Sequence, residues 1–389
     1  MRFRILLLPL ILCAACGSAT AIADDATPPM PLAPTLAAPP TRTPTQTLTL
    51  TPAATSAPPP TPTPVLLPSP TSLPEIHLLF TGDINPARCV YSISKAADDM
   101  ALPYRPLAEI LQGADITVGS LDAAISDYNA PTPCIETTRN LLAPSEAAQG
   151  LAFAGFDVIT VATNHIKDCG LKRGCVSESM LDTTANLRSV GIQPTGAGNN
   201  LAEATAPVII TVQGVRFAFL GFSAINSPIW ATEDAPGIGP LQKEVVADAV
   251  RRAQEQADVV IVLPHWGREY VSDISWEQFK AAKEMADAGA NLVVGNNPHR
   301  VQGVETFPNG TVVAYALGNF VFDQQWSDGT QYTVQGVMLE ATFRGARLQG
   351  VKLIPIHIYD NFQPQLASPE EATEILKQVA DSLAKMPGR

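Results

Sequence analysis

The chain has 389 residues, a net charge of −12, 46% hydrophobic residues and only 16% charged ones. That length holds one large domain or two ordinary ones. An acidic balance without a basic stripe excludes a nucleic-acid-binding surface, so no nucleic acid is expected as a partner.

Arg2 and Arg4 precede a short apolar run, residues 5–12, which is too short to span a bilayer and reads as an export signal. The end of that run, Ala14-Ala15-Cys16-Gly17, resembles a lipoprotein processing site with Cys16 as the lipidated residue, although Cys13 stands where Leu is usual. Residues 1–16 are therefore expected to be a lipoprotein-type signal, and the mature protein an extracytoplasmic one held to the membrane by its lipid. Cleavage after Ala21 or Ala23 is the alternative. Residues 17–74 hold 16 of the 35 prolines, many in Thr-Pro pairs, and three charges, Asp24, Asp25 and Arg42. Such a segment has too little apolar surface to offset ordering entropy, so it is expected to be a disordered tether. Four cysteines remain after the signal, Cys89, Cys134, Cys169 and Cys175, an even count that suggests two disulfides in an exported chain. Three pairings are possible. The short loop between Cys169 and Cys175 suits closure on itself, which leaves Cys89 with Cys134.

From Glu75 the pattern alternates between strand and helix. Strands are predicted over residues 76–81, 115–121 and 157–163, the last preceded by a helical stretch, 145–154, and the second by another, 107–112. A helix over 178–190 ends at Gly191, and strands over 208–212 and 216–221 are joined at Gln213-Gly214. Then follow a helix over 243–256, a strand over 258–263, a helix over 276–288 and a strand over 291–294. Three antiparallel-looking strands, 312–317, 336–343 and 348–355, precede a last helix over 369–384. This mixed order predicts an α/β fold of two sheets with helices outside, spanning 75–365, followed by a C-terminal helix in 366–389.

The informative pattern is positional. Asp83, Asp122, Asn164, His165, His265 and His299 each lie just past a predicted strand, and three of the five histidines occupy such places. Ligands gather at the carboxyl ends of strands in such sheets. Asp, Asn and His suit a borderline divalent ion, manganese, zinc or iron. The plain alternative for Asn164 and His165 alone is a turn cap beside a satisfied core histidine.

The segments GDINPAR, GSLDAAIS, GFDVITVATNHIKDCG, TGAGNNLAEA, LPHWGREY, GANLVVGNNPHRVQGVE and VAYALGNFVFDQ, in that order, resemble the CapA (PgsA-like) poly-γ-glutamate capsule proteins, over about residues 75–355. That family belongs with the calcineurin-like metallophosphoesterases. The resemblance implies a four-layer αββα metallophosphoesterase-like sandwich with its site at the strand ends. It also implies a role in synthesis, export or attachment of a capsule polymer, with an anionic polymer such as poly-γ-glutamate and capsule-synthesis membrane proteins as partners. By position, Asp83, Asp122, Asn164, His265, His299 and Asn297 fall on metal-binding places for one or two divalent ions, and His165 on the catalytic histidine. The chain departs from the family pattern at Ser120, Thr163 and Asn297, where Asn, Asn and His are usual. A neutral amide at Asn297 is a weaker ligand than imidazole, so occupancy nearer one ion than two is expected. Arg88 and Arg300 are candidates for holding a phosphate or carboxylate, Trp266 and Tyr270 for lining a groove, and Asn319 for shaping the floor of the substrate site. Solvated arginines and packed aromatics are the plain readings of the same residues. Glu269 is a candidate for orienting His265. The two functions in view are a metal-dependent hydrolase or transferase, and a non-catalytic surface protein that guides an anionic polymer.

Overall fold

A computed structural model describes residues 73–386, apart from 136–137, 171–174, 176, 226–228 and 325–331. The expected signal, Cys16 and the Thr/Pro-rich stretch through residue 72 lie outside the described residues. Among the described residues no helix is long and apolar enough to cross a membrane.

Two mixed sheets carry the domain. In the first, four parallel strands lie side by side in the order Glu75–Ile84, Ile116–Leu121, Val158–Thr160 and Gln193–Thr195. The other flank of Glu75–Ile84 carries the antiparallel strands Gln335–Arg344, Arg347–Tyr359 and Gln363–Leu366. In the second sheet, Val215–Ser223, Val259–His265, Leu292–Val294 and Val312–Ala314 run parallel. The edge strands Val208–Val212 and Val304–Thr306 are antiparallel to them.

Side-chain alternation decides what each face meets. Along Glu75–Ile84, Ile76, Leu78 and Phe80 enter the core between the sheets, whereas Leu79 and Ile84 face the helices outside. The second sheet repeats the arrangement. Phe217, Phe219, Ile261 and Leu263 point inward, and Ala218, Leu220, Val260 and Val262 point to the helices Lys243–Gln254 and Trp276–Ala288. Phe217 meets Phe343 edge-to-face across the inner core, at 5.2 Å between centroids. The result is the expected four-layer αββα order, helices on each outer face of two packed sheets. The helix Pro369–Ala384 also lends Ile375 and Val379 to the inner core.

Two strands are shorter than their apolar runs suggest. The run 157–163 pairs only over Val158–Thr160, because its neighbour in the ladder ends at Leu121. Thr163 then donates its hydroxyl to the Leu121 carbonyl at 3.0 Å, and the buried segment bends over the strand ends. The run 312–317 likewise pairs only over Val312–Ala314. A three-residue strand, Asn319–Val321, runs parallel to the end of Glu75–Ile84 with Asn319 in register with Asp83. Gly82 makes this approach possible, since a Cβ there would stand 2.0 Å from the Gly318 carbonyl oxygen. Both expected disulfides, Cys89–Cys134 and Cys169–Cys175, are formed.

Candidate functional site

The carboxyl ends of both sheets meet at one buried cluster. Asp83 comes from the strand Glu75–Ile84, Asp122 from the residue after Ile116–Leu121, and His265 ends Val259–His265. His299 arrives on the loop after Leu292–Val294. All four are buried. Asp83 lies 3.5 Å from His299 Nδ1 and 4.0 Å from His265 Nδ1. Asp122 lies 3.7 Å from His265 Nε2 and 3.9 Å from His299 Nε2. Each carboxylate thus spans both imidazoles.

Hydrogen bonds settle the ring orientations. Asn319 Nδ2 donates to the Thr333 carbonyl at 2.8 Å, which turns its Oδ1 toward His299 Nδ1 at 2.9 Å. His299 therefore donates from Nδ1 and keeps its lone pair on Nε2, facing Asp122. His265 donates from Nε2 to Asn164 Oδ1 at 2.8 Å, which leaves a lone pair on Nδ1 facing Asp83. Burial, helped by the charges of His299 and His165, holds the His265 imidazole well below its usual range, so it is neutral and ready to ligate. Burial also pushes the Asp83 and Asp122 carboxyls up.

Several polar atoms here are buried without a hydrogen-bond partner: both oxygens of Asp122, Nδ1 of His265, and Oδ1 of Asn296 and Asn297. Leaving such atoms unmet costs about 1–3 kcal/mol each. The separations to the two free nitrogens, 4.0 Å between His265 Nδ1 and Asp83 and 3.9 Å between His299 Nε2 and Asp122, also suit pairs of ligands about 2.0–2.2 Å from a shared ion. Among the described residues, however, no three His, Cys, Asp or Glu side chains converge on one point as the ligands of a single ion do. The donor set fits a divalent ion in kind, with small side-chain adjustments needed to close on it.

At the mouth stands His165, whose Nδ1 donates to Asp168 Oδ2 at 2.6 Å. The same oxygen accepts the Leu141 N–H at 2.7 Å, which fixes the carboxylate. Burial disfavours the charged ring, but the Asp122 and Asp168 carboxylates outweigh it and raise His165 to about 9. Sequence reasoning missed Asp168; its spacing of three residues from His165 within a loop was the available signal.

Four of the expected roles change. Arg88 is buried, its guanidinium bound to the Asp323 carboxylate and to the Thr138 carbonyl at 2.7 Å, so it is not presented to a substrate. Trp266 is 1% exposed. Its indole stacks on Tyr315 and donates to the Tyr315 carbonyl at 2.7 Å, on the side away from His265. Asn319 is fully committed to His299 and Thr333, and so orients a histidine without reaching substrate. Glu269 does not hold His265, which is held by Asn164; its charge acts instead on Asp122, His165 and Tyr270. Arg300 stays half-buried at the mouth, 4.0 Å over the Tyr332 ring, with Nε lacking a hydrogen-bond partner. Tyr270 stacks on His299 at 5.5 Å. Backbone strain gathers on these loops, with positive φ at Tyr270 (65°), Asn297 (99°) and His299 (56°). Such strain costs on the order of 1–3 kcal/mol per residue and persists where surrounding structure enforces it.

Comparison with known proteins supplies the family. Residues 77–324 match the family described as bacterial capsule synthesis protein PGA_cap. The chain belongs to the PGA_cap family. Within it, the chain is 32% identical over 252 residues to the PGA biosynthesis protein CapA of Bacillus subtilis, covering 64% of this chain and 63% of that protein. It is 30% identical over 322 residues to the capsule biosynthesis protein CapA of Bacillus anthracis, covering 80% and 74%. The match thus spans just under two thirds of the first relative's length. Among solved structures, a putative 5'-nucleotidase of Staphylococcus aureus superposes with a TM-score of 0.47 at 13% identity, covering 79% of this chain and 58% of that one.

Proposed function

We propose that the protein is a metal-dependent hydrolase or transferase at the outer surface of the cell, acting on an anionic capsule polymer such as poly-γ-glutamate. The observation that carries this reading is the Asp122 carboxylate, buried without a hydrogen-bond partner between His265 and His299. The free nitrogens would pair His265 Nδ1 with Asp83 and His299 Nε2 with Asp122 around a divalent ion, with Asn297 a weaker oxygen; Asn164 would join as a ligand only by giving up its bond to His265 Nε2. Such an ion supplies Lewis acidity at the reacting oxygen. His165 carries the proton: with Nδ1 donated to Asp168, its Nε2 hands a proton to the leaving group. Arg300, half-buried beside Tyr332, would hold a carboxylate or phosphate of the polymer with the exposed part of its guanidinium. A lipid on Cys16 would hold the domain at the membrane beside capsule-synthesis membrane proteins, and mass spectrometry of the mature amino terminus tests that part.

The second reading, a non-catalytic polymer guide, draws support from Asn297. Its amide nitrogen is spent on the Gly267 carbonyl at 2.9 Å, and only a neutral oxygen is left for an ion. Metal analysis of the purified protein, with a phosphodiester and γ-glutamyl substrate screen, separates the two. The catalytic reading expects at least one ion per chain, its loss in His265→Ala and His299→Ala, and retained metal without turnover in His165→Ala. Bound metal with no turnover on any substrate supports the guide. No metal, and no stabilisation by added manganese or zinc, rejects both metal assignments.

A further inference from the structure

Behind the strand that delivers His265, a cleft of about 710 Å³ opens between the helices Lys243–Gln254 and Trp276–Ala288. Small-molecule sites commonly enclose roughly 300–1,000 Å³, so the space suits a compact ligand. Its inner lining includes Trp266, Leu241, Val246 and Met285, which belong to or pack against the outer core of the second sheet. The Trp266 indole cannot swing out of the way, because it is bonded to the Tyr315 carbonyl and stacked on that ring. At 1% exposure it backs the cleft from behind, and the half-buried Ile225, Leu241 and Ala281 supply the apolar surface that a ligand can touch.

The rim is charged. Lys243, Arg268 and Lys280 all border the cleft, in a chain whose net charge is −12. Lys243 leans on Glu284 at 3.7 Å. Arg268 and Lys280 are exposed and have no carboxylate within ion-pair reach among the described residues, although Glu277 and Glu284 also border the cleft. Cations without a partner beside an apolar wall favour a ligand that is apolar at one end and anionic at the other. The apolar end gains by leaving water, and the anion gains charge-assisted hydrogen bonds at the rim.

We propose that this cleft binds a small amphipathic carboxylate, with its apolar body against Leu241 and Ala281 and its head between Arg268 and Lys280. The cleft is separate from the metal cluster and the proposal does not depend on that chemistry. It adjoins the cluster all the same: the Gly267 carbonyl accepts from Asn297, and the Trp266 N–H donates to the Asn296 carbonyl at 3.0 Å.

Isothermal titration of the full chain with sodium decanoate, below its micelle concentration, tests this. Decanoate should bind saturably at one site per chain, and decyltrimethylammonium about tenfold or more weakly. The double variant R268E/K280E should weaken decanoate by about tenfold, and both positions are exposed enough to leave the fold intact. Ala281→Phe, which places a ring inside the cleft, should abolish binding. Equal binding of the two amphiphiles, indifference to R268E/K280E, or no saturable site would overturn the proposal. Should Ala281→Phe disturb folding, the charge reversal alone decides.

Discussion

Asn319→Ala is the most direct test of how the buried cluster is held. The Asn319 side chain is fully buried and makes two hydrogen bonds, to His299 Nδ1 at 2.9 Å and to the Thr333 carbonyl at 2.8 Å. Truncation leaves both partners buried and unmet. At about 1–3 kcal/mol for each orphaned group, the loss should be about 4 kcal/mol, with some further cost for the small cavity. Urea unfolding of wild type and variant in metal-free buffer measures this as a shift in midpoint at unchanged slope. Asn319→Asp keeps an oxygen toward His299 but sets a second oxygen against the Thr333 carbonyl, so it should not restore the loss. The His299 ring should also lose its preferred tautomer, which nitrogen chemical shifts of the imidazole report. A loss under about 1 kcal/mol, or rescue by Asp, would refute the assigned hydrogen-bond pattern.

Further expectations rest on separate observations. Gly295→Ala should destabilise by about 3 kcal/mol, because its Cβ would stand 2.2 Å from Trp266 Nε1 and 2.3 Å from the Tyr315 carbonyl. Gly350→Ala, with open space around it, should stay within about 0.5 kcal/mol in the same denaturation assay. The two disulfides close loops with sequence separations of 45 and 6 residues. Loop-closure entropy therefore predicts that replacing Cys89 and Cys134 by Ser costs about 2 kcal/mol more than replacing Cys169 and Cys175, which paired unfolding curves resolve. Asp258 is lowered to about 2 by its hydrogen bonds from the Arg216 side chain and backbone. A carboxyl with a depressed folded-state pKa adds stability above its unfolded value, here 3.8, and loses it as pH falls toward 2. Asp258→Asn should accordingly flatten the acid limb of the thermal-melting profile over that window. An unchanged limb would show that the pair adds nothing measurable.

The cluster itself was legible because its residues sit where short apolar runs stop. Asp83, Asp122, His265 and His299 could be placed from that rule alone, and the four layers followed from the order of strands and helices. What escaped depends on long-range register. Arg88 looked available because its partner, Asp323, lies 235 residues away. Asn319 was misplaced because its role comes from a three-residue strand in register with Asp83, too short for any periodicity to reveal. Trp266 is different. It follows His265 directly, and alternation of side chains along a strand already turns neighbours to opposite faces. Its burial behind the site was therefore readable, and the motif around it drew attention to the wrong face.

The central strand of the first sheet has another consequence. Glu75–Ile84 pairs on one flank with Ile116–Leu121 and on the other with Gln335–Arg344, where His77 and Glu340 meet across 263 residues of chain. Ile375 and Val379 then help to close the core between the sheets. Contacts of such long reach form late, since loop-closure entropy is lost before they repay it. A chain synthesised from its amino terminus would thus wait, with one flank of its central strand unpaired, until nearly all of it had emerged. During that interval the bare edge of Glu75–Ile84 is open to pairing with another chain, and a holding chaperone would shield it. Its folding yield should then fall more steeply than its equilibrium stability when such a chaperone is removed.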